Sequence, residues 1–140
     1  MPLTLREREL FLSEPHIGAL SVDAGPGRAP LTVPIWYDYS PGEELWLLTG
    51  AESKKVELIK AAGRFSMMAE RQEPSVRYVN VEGSLSRITP ASDELHLHMA
   101  RRYLPEDKVR PYLRRAEEFG EQVIVALRPE HWYSADLGTL

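Results

Sequence analysis

The residues best equipped for chemistry lie in the segment Leu47–Lys55, LLTGAESKK. An apolar run ends there, a small loop follows, and Ser53-Lys54-Lys55 opens what reads as a helix. The first N–H groups of a helix have no intrahelical acceptor and carry partial positive charge, so helix starts attract anions. One hydroxyl and two ammonium groups added at that point make a cradle for a phosphate, with charge-assisted hydrogen bonds of about 1.5–3 kcal/mol each. The same residues also read as a capped helix carrying two solvated lysines.

Other reactive side chains are less promising. The chain has no cysteine, which excludes disulfides, zinc–cysteine sites, iron–sulfur clusters and thiol nucleophiles. His96 and His98 form H-L-H, but residues i and i+2 of a helix point about 200° apart and cannot grip one ion, so both read as surface or capping groups. His16 and His131 are isolated and read as structural. Arg101, Arg102, Arg110, Arg114 and Arg115 alternate with Glu106, Asp107, Glu117 and Glu118, the mixed pattern of a solvated helical face. Arg71 sits in a loop between two strands and reads as a turn residue. Ser75, Ser84 and Ser86 lack a nucleophile-elbow context. Trp36, Trp46 and Trp132 read first as core or interface packing.

These groups must be held by short elements, because eleven prolines and nine glycines break the chain often. Thr4 and Glu7 form a capping box for a helix through about Ser13, with Leu5, Leu10, Phe11 and Leu12 as its apolar side, and Pro15 stops it. His16–Asp23 reads as a strand, AGPGR as a turn, and Pro30–Tyr39 as a second strand with an edge or bulge at Pro34. SPGEE is a hairpin turn, and LWLLTG (Leu45–Gly50) is the next strand. Ser53 caps a helix over Lys54–Ala62 that Gly63 ends. Phe65–Ala69 and Val76–Ile88 are strands, the longer one interrupted by Gly83 at a bend or close approach. Thr89-Pro90 reads as the start of helices that run to about Phe119, broken near Leu104-Pro105. Val123–Leu127 and Pro129–Ala135 read as two final strands.

The pattern predicts one mainly β domain over residues 1–140, a split or closed barrel with helical cover. It has six or seven mostly antiparallel strands and three or four helices, with no regular strand–helix alternation. A net charge of −4 supplies no general field for nucleic acid, and no apolar run approaches 18 residues, so neither DNA, RNA nor a membrane is expected as a partner. The charged start MPLTLRERELFLSE lacks the apolar core of a signal peptide, and a cytoplasmic location is the expectation.

In order and spacing, LTVPIW, SPGEE, LWLLTG, SKKVELIKAAGRFSMM and RYVNVEG resemble the pyridoxamine 5′-phosphate oxidase-like FMN-binding split barrels over about Phe11 to Arg87, with a weaker echo at PEHW. The resemblance implies that Val33, Pro34, Ile35 and Trp36 line a flavin ring and that Leu48 and Thr49 meet its ring or ribityl edge. Ser53, Lys54 and Lys55 would bind the phosphate. Tyr78 would reach the cofactor from the long strand, and Trp132 would contact it from a partner subunit, so a homodimer is implied. The oxidases themselves carry Arg and Lys where this chain has Leu31 and Trp36, and an Arg/His-rich tail where it ends YSADLGTL. The resemblance therefore implies the cofactor and not pyridoxamine phosphate as substrate.

The expected activity is a flavin-dependent oxidoreductase that transfers hydride to a small apolar or aromatic substrate, with FMN as cofactor and a deazaflavin coenzyme as the alternative. For a deazaflavin with an acidic tail, Lys54, Lys55, Arg71 and Arg77 would be the available cations. A nicotinamide donor is compatible, although no Gly-rich dinucleotide motif is present. A non-catalytic flavin- or haem-binding protein and a barrel serving only as an interaction domain stand as the other readings. No residue is singled out as catalytic.

Overall fold

A computed structural model describes residues 2–139. The first helix, α1 (Leu5–Ser13), begins at the expected box: the Thr4 hydroxyl accepts the Glu7 N–H at 3.2 Å and the Glu7 carboxylate accepts the Thr4 N–H at 2.9 Å. Its apolar side is narrower than expected. Phe11 and Leu12 are buried, whereas Leu5 and Leu10 face solvent.

Seven strands follow: β1 (Gly18–Val22), β2 (Leu31–Ile35), β3 (Tyr37–Asp38), β4 (Leu45–Gly50), β5 (Arg64–Arg71), β6 (Val76–Pro90) and β7 (Gln122–Gly138). They form one antiparallel sheet in the order β2-β1-β5-β6-β7-β4-β3. The two edge strands are neighbours in the chain, separated by Trp36 alone. Leu31–Ile35 pairs with β1 and Tyr37–Asp38 pairs with β4, so one continuous segment joins the two edges and closes the barrel. The break falls at Trp36, where the strand changes partner. Pro34 lies within β2, opposite Ala19, and its missing N–H is tolerated because β2 pairs on one side only.

Helix α2 (Lys54–Ala62) links β4 to β5. Ser53 caps it and Gly63, at φ +74°, ends it in the left-handed conformation that glycine adopts without strain. Two further helices, α3 (Asp93–Tyr103) and α4 (Glu106–Ala116), and a short 3₁₀ turn fill the excursion between β6 and β7. Here the sequence reading needs correction. Thr89 and Pro90 do not open a helix: they pair with Ile124 and Val123 and end β6. Ser92 is the cap, its hydroxyl accepting the Leu95 N–H at 3.1 Å, with Asp93 and Glu94 in the first turn. The two expected C-terminal strands are one, β7, and Pro129 fits into it at a register shift beside Gly83. Gly83 is a close approach, as expected: a Cβ there would overlap the Arg128 carbonyl oxygen.

Alternate residues such as Leu20, Leu47, Met67, Val81 and Val125 fill the barrel. Ile124 and Ala126 point the other way along β7 and are fully buried too, which requires cover on that face. Buried Met99 and Ala100 of α3 and Val109 and Ala116 of α4 belong to that helical cover. Among the described residues, no helix is long and apolar enough to cross a membrane.

Arg102 fixes the cover to the barrel. Its guanidinium donates to the Tyr37, Ser13 and Glu14 carbonyls at 2.8, 2.9 and 2.9 Å and pairs with Asp38 at 3.1 Å. The neighbouring Tyr103 hydroxyl accepts the Tyr37 N–H at 3.1 Å and donates to the His16 carbonyl at 2.7 Å. The expectation of a uniformly solvated arginine face therefore fails at Arg102, while Arg101 follows it with an exposed bond to Glu106.

Candidate functional site

The seam at Trp36 borders a cavity of about 350 Å³. Its barrel side consists of Pro34, Ile35, Trp36 and Leu48, and its helical side of His96, Met99 and Tyr112. Four residues named from the sequence for a flavin ring thus meet at one apolar surface, of a volume within the usual range for small-molecule sites. Trp36 stacks on Tyr103, with centroids 4.9 Å apart and planes within 9°, and lies at 5.1 Å from the Tyr112 ring. Val33 does not join them. It pairs with Leu20 and packs inward against the barrel core; Ile35, two residues on and on the same face, packs there too but also reaches the cavity at the seam. Thr49 is likewise turned inward and buried, opposite Val123.

Strand β4 leads from this cavity, through a three-residue turn at 51–53, to α2. The Ser53 hydroxyl accepts the Val56 N–H at 3.4 Å and keeps its own proton for a further acceptor. The N–H groups of Lys54 and Lys55 are the first of the helix and have no intrahelical partner. Lys54 is exposed and pairs with Glu57 at 3.4 Å. Lys55 differs. It is half-buried, forms no ion pair among the described residues, and burial pushes its ammonium below the usual lysine range. A partly desolvated cation without a counter-charge at a helix N-terminus fits a phosphate.

Tyr78 and Trp132 lie elsewhere. They line a separate pocket of about 300 Å³ with Leu3, Arg8 and Tyr133, in which Tyr78 stacks on Tyr133 at 6.1 Å and the Arg8 guanidinium covers the Trp132 ring at 4.7 Å. Arg71 and Arg77 are engaged within the chain. Arg71 donates to the Ser75 carbonyl and hydroxyl, and Arg77 pairs with Asp136 at 2.9 Å. The two histidines of H-L-H diverge as expected, with His98 on Asp38 at 2.8 Å and His96 in the cavity wall. No group of three or more His, Cys, Asp or Glu suited to a metal ion occurs among the described residues.

The sequence reading missed His96, Met99 and Tyr112 as site residues. The only signal for Met99 and Tyr112 was that they belong to the apolar positions of α3 and α4, with Leu95, Ala100, Val109 and Ala116, which says they are covered but not by what.

No family model matches the sequence, and no curated protein does. Solved structures do. The chain is similar to an F420 reductase at 25% identity, with a TM-score of 0.70 over 89% of this chain and 94% of that one. It is similar to a conserved hypothetical protein of Mycobacterium tuberculosis at 24% identity, with a TM-score of 0.72 over 96% and 85%. An FAD-binding protein of Mesorhizobium loti matches at 22% identity, with a TM-score of 0.64 over 97% and 96%. The fold is the split β-barrel of the pyridoxamine 5′-phosphate oxidase-like flavin and deazaflavin superfamily.

Proposed function

We propose that the protein is an oxidoreductase that holds a flavin-type cofactor, FMN in the first instance, between the Trp36 seam and the N-terminus of α2. One observation carries this reading: Pro34, Ile35, Trp36 and Leu48 converge on an apolar cavity from which β4 leads to the unpaired, half-buried Lys55. A bound flavin supplies two-electron hydride chemistry. The chain's own residues do the rest. Lys55, Lys54, the Ser53 hydroxyl and the free helix N–H groups hold the phosphate. Pro34, Ile35 and Leu48 give the ring an apolar seat, and the helical cover keeps water from it. The substrate is a small apolar or aromatic compound, because no Lys, Arg, Asp or Glu lines the cavity to meet an ionic one.

The deazaflavin reading is supported by the similarity to an F420 reductase. Against it stands the engagement of Arg77 with Asp136 and of Arg71 with Ser75, which leaves those cations less able to meet an acidic tail. Tyr78 and Trp132 line a pocket of their own, so their contact with the same cofactor comes from a second copy of the chain, and the working form is a homodimer.

The test is a visible-absorption and fluorescence titration with FMN and, separately, with the deazaflavin coenzyme. Saturation by one of them at one per chain is expected. Replacing Lys54 and Lys55 by Ala should weaken it at least tenfold, about 1.4 kcal/mol. Binding of neither refutes the oxidoreductase reading, and undiminished binding by the double variant refutes the phosphate assignment. The loaded protein should sediment as two chains; sedimentation as one refutes the dimer.

A further inference from the structure

His96 is half-buried, yet its ring forms no hydrogen bond or ion pair among the described residues. It stands in a wall between two cavities. On one side is the apolar cavity bounded by Trp36, Leu48 and Met99. On the other is a cavity of about 340 Å³ bordered by the exposed residues Asp93, Glu117 and Gly120. Gln122 shares the wall. The titratable groups around His96 among the described residues are Asp93 from its own helix and Glu117 from the 3₁₀ turn, which line the second cavity with it, and the Tyr112 ring from α4, edge-on at 6.4 Å. The barrel presents Trp36, Leu48 and Gln122, none of which titrates. Burial pushes the Tyr112 hydroxyl above the usual tyrosine range, so Tyr112 stays neutral. Imidazole is the one side chain on the apolar cavity able to exchange a proton near neutrality.

We propose that His96 delivers the proton that accompanies hydride transfer in this cavity, to a planar conjugated carbonyl acceptor, and regains it from the side of Asp93 and Glu117. The assignment rests on the flavin reading above. The acceptor gains a hydride at the carbon conjugated to its carbonyl, and the electron pair comes from the reduced cofactor, which leaves oxidised. The displaced π pair moves to the carbonyl oxygen, which takes the imidazolium proton. Neutral His96 is then reprotonated from solvent through the second cavity. A planar acceptor suits a cavity walled by Trp36 and Tyr112, and a carbonyl oxygen suits an otherwise unpartnered imidazole.

Menadione serves as the probe, with the wild type and His96→Gln both loaded with FMN and reduced. Glutamine keeps a hydrogen-bond donor of similar reach but has no proton to release. The variant should lose about 100-fold in kcat with KM within twofold. The wild-type kcat should fall as the medium becomes alkaline, and the variant should lack that fall; His96→Asn should behave alike. In cofactor-free protein, menadione should shift the His96 ring signals in a ¹H–¹⁵N spectrum. A variant kcat within threefold of wild type, an unchanged pH profile, or unmoved His96 signals overturns the assignment and leaves the cofactor reading standing. A wild type that binds no flavin overturns both.

Discussion

Arg102→Met isolates the tie between the helical cover and the barrel. Methionine keeps much of the apolar stem and removes the guanidinium, which donates to three backbone carbonyls and pairs with Asp38. Breaking a buried ion pair by removing one partner costs about 3–5 kcal/mol when the other charge is stranded. Asp38 is not fully stranded here, because the Tyr39 N–H lies at 2.9 Å and His98 at 2.8 Å. The Tyr37 carbonyl lies 2.9 Å from the Tyr103 hydroxyl, which can turn its proton to it, and exposed Glu14 leaves its carbonyl within reach of water. The Ser13 carbonyl has the fewest substitutes. The expected loss is therefore at the lower end, about 3 kcal/mol, read from the urea midpoint by circular dichroism at unchanged slope. For a domain of this size that corresponds to a fall in melting temperature of about 10 °C. Arg102→Lys should recover only part of it, since one ammonium cannot span the same acceptors. A loss below about 1 kcal/mol, the scale of an exposed pair, would show that the cover is held by apolar packing alone.

Gly83→Ala should destabilise the protein by about 3 kcal/mol, because the added methyl meets the Arg128 carbonyl and two paired strands must separate to admit it; a thermal melt within two degrees of wild type would refute that. Asp136 is held down to about 2 by the Gly138 N–H, the Ser75 hydroxyl and Arg77. A carboxyl with a lowered folded pKa stabilises the fold above its unfolded value, near 3.8, and loses that contribution as pH falls through about 2. The stability difference between wild type and Asp136→Asn should be constant from neutral pH down to about 4 and close between about 4 and 2. A difference that does not change over that range would show that these bonds do not hold the carboxyl down.

Where a signal was local, it was legible. Leu45–Gly50, the Ser53 cap, Lys54–Ala62 and the glycine stop all fall where caps, periodicity and turn chemistry place them. Thr89-Pro90 misled for the opposite reason. It carries a valid local start signal, but pairing with Ile124 and Val123 from more than thirty residues away prevails. Pro34 lies on an edge strand, as its missing N–H implies, whereas the break at Trp36 carries no signal, because a change of strand partner has no marker in the chain. His96 shows the limit for the site. Helical geometry separated it from His98 correctly, yet its cavity is made by residues near positions 17, 35, 48, 96 and 112, whose juxtaposition only the folded barrel supplies.

Strands β6 and β7 are paired at their ends, Pro90 opposite Val123, and the Ala91 N–H donates to the Gln122 carbonyl at 3.0 Å. The helical excursion therefore leaves and re-enters the barrel at adjacent points, like a long loop on a closed hairpin. Lengthening such a loop adds closure entropy only logarithmically, about 0.6 kcal/mol per doubling. The half of the cavity that a substrate would meet is thus a cassette, separable from the half proposed to seat the cofactor. Exchange of residues 91–121 between barrels of this shape could alter what is reduced without disturbing what does the reducing, provided the incoming segment brings its own counterpart of the Arg102 and Tyr103 anchor.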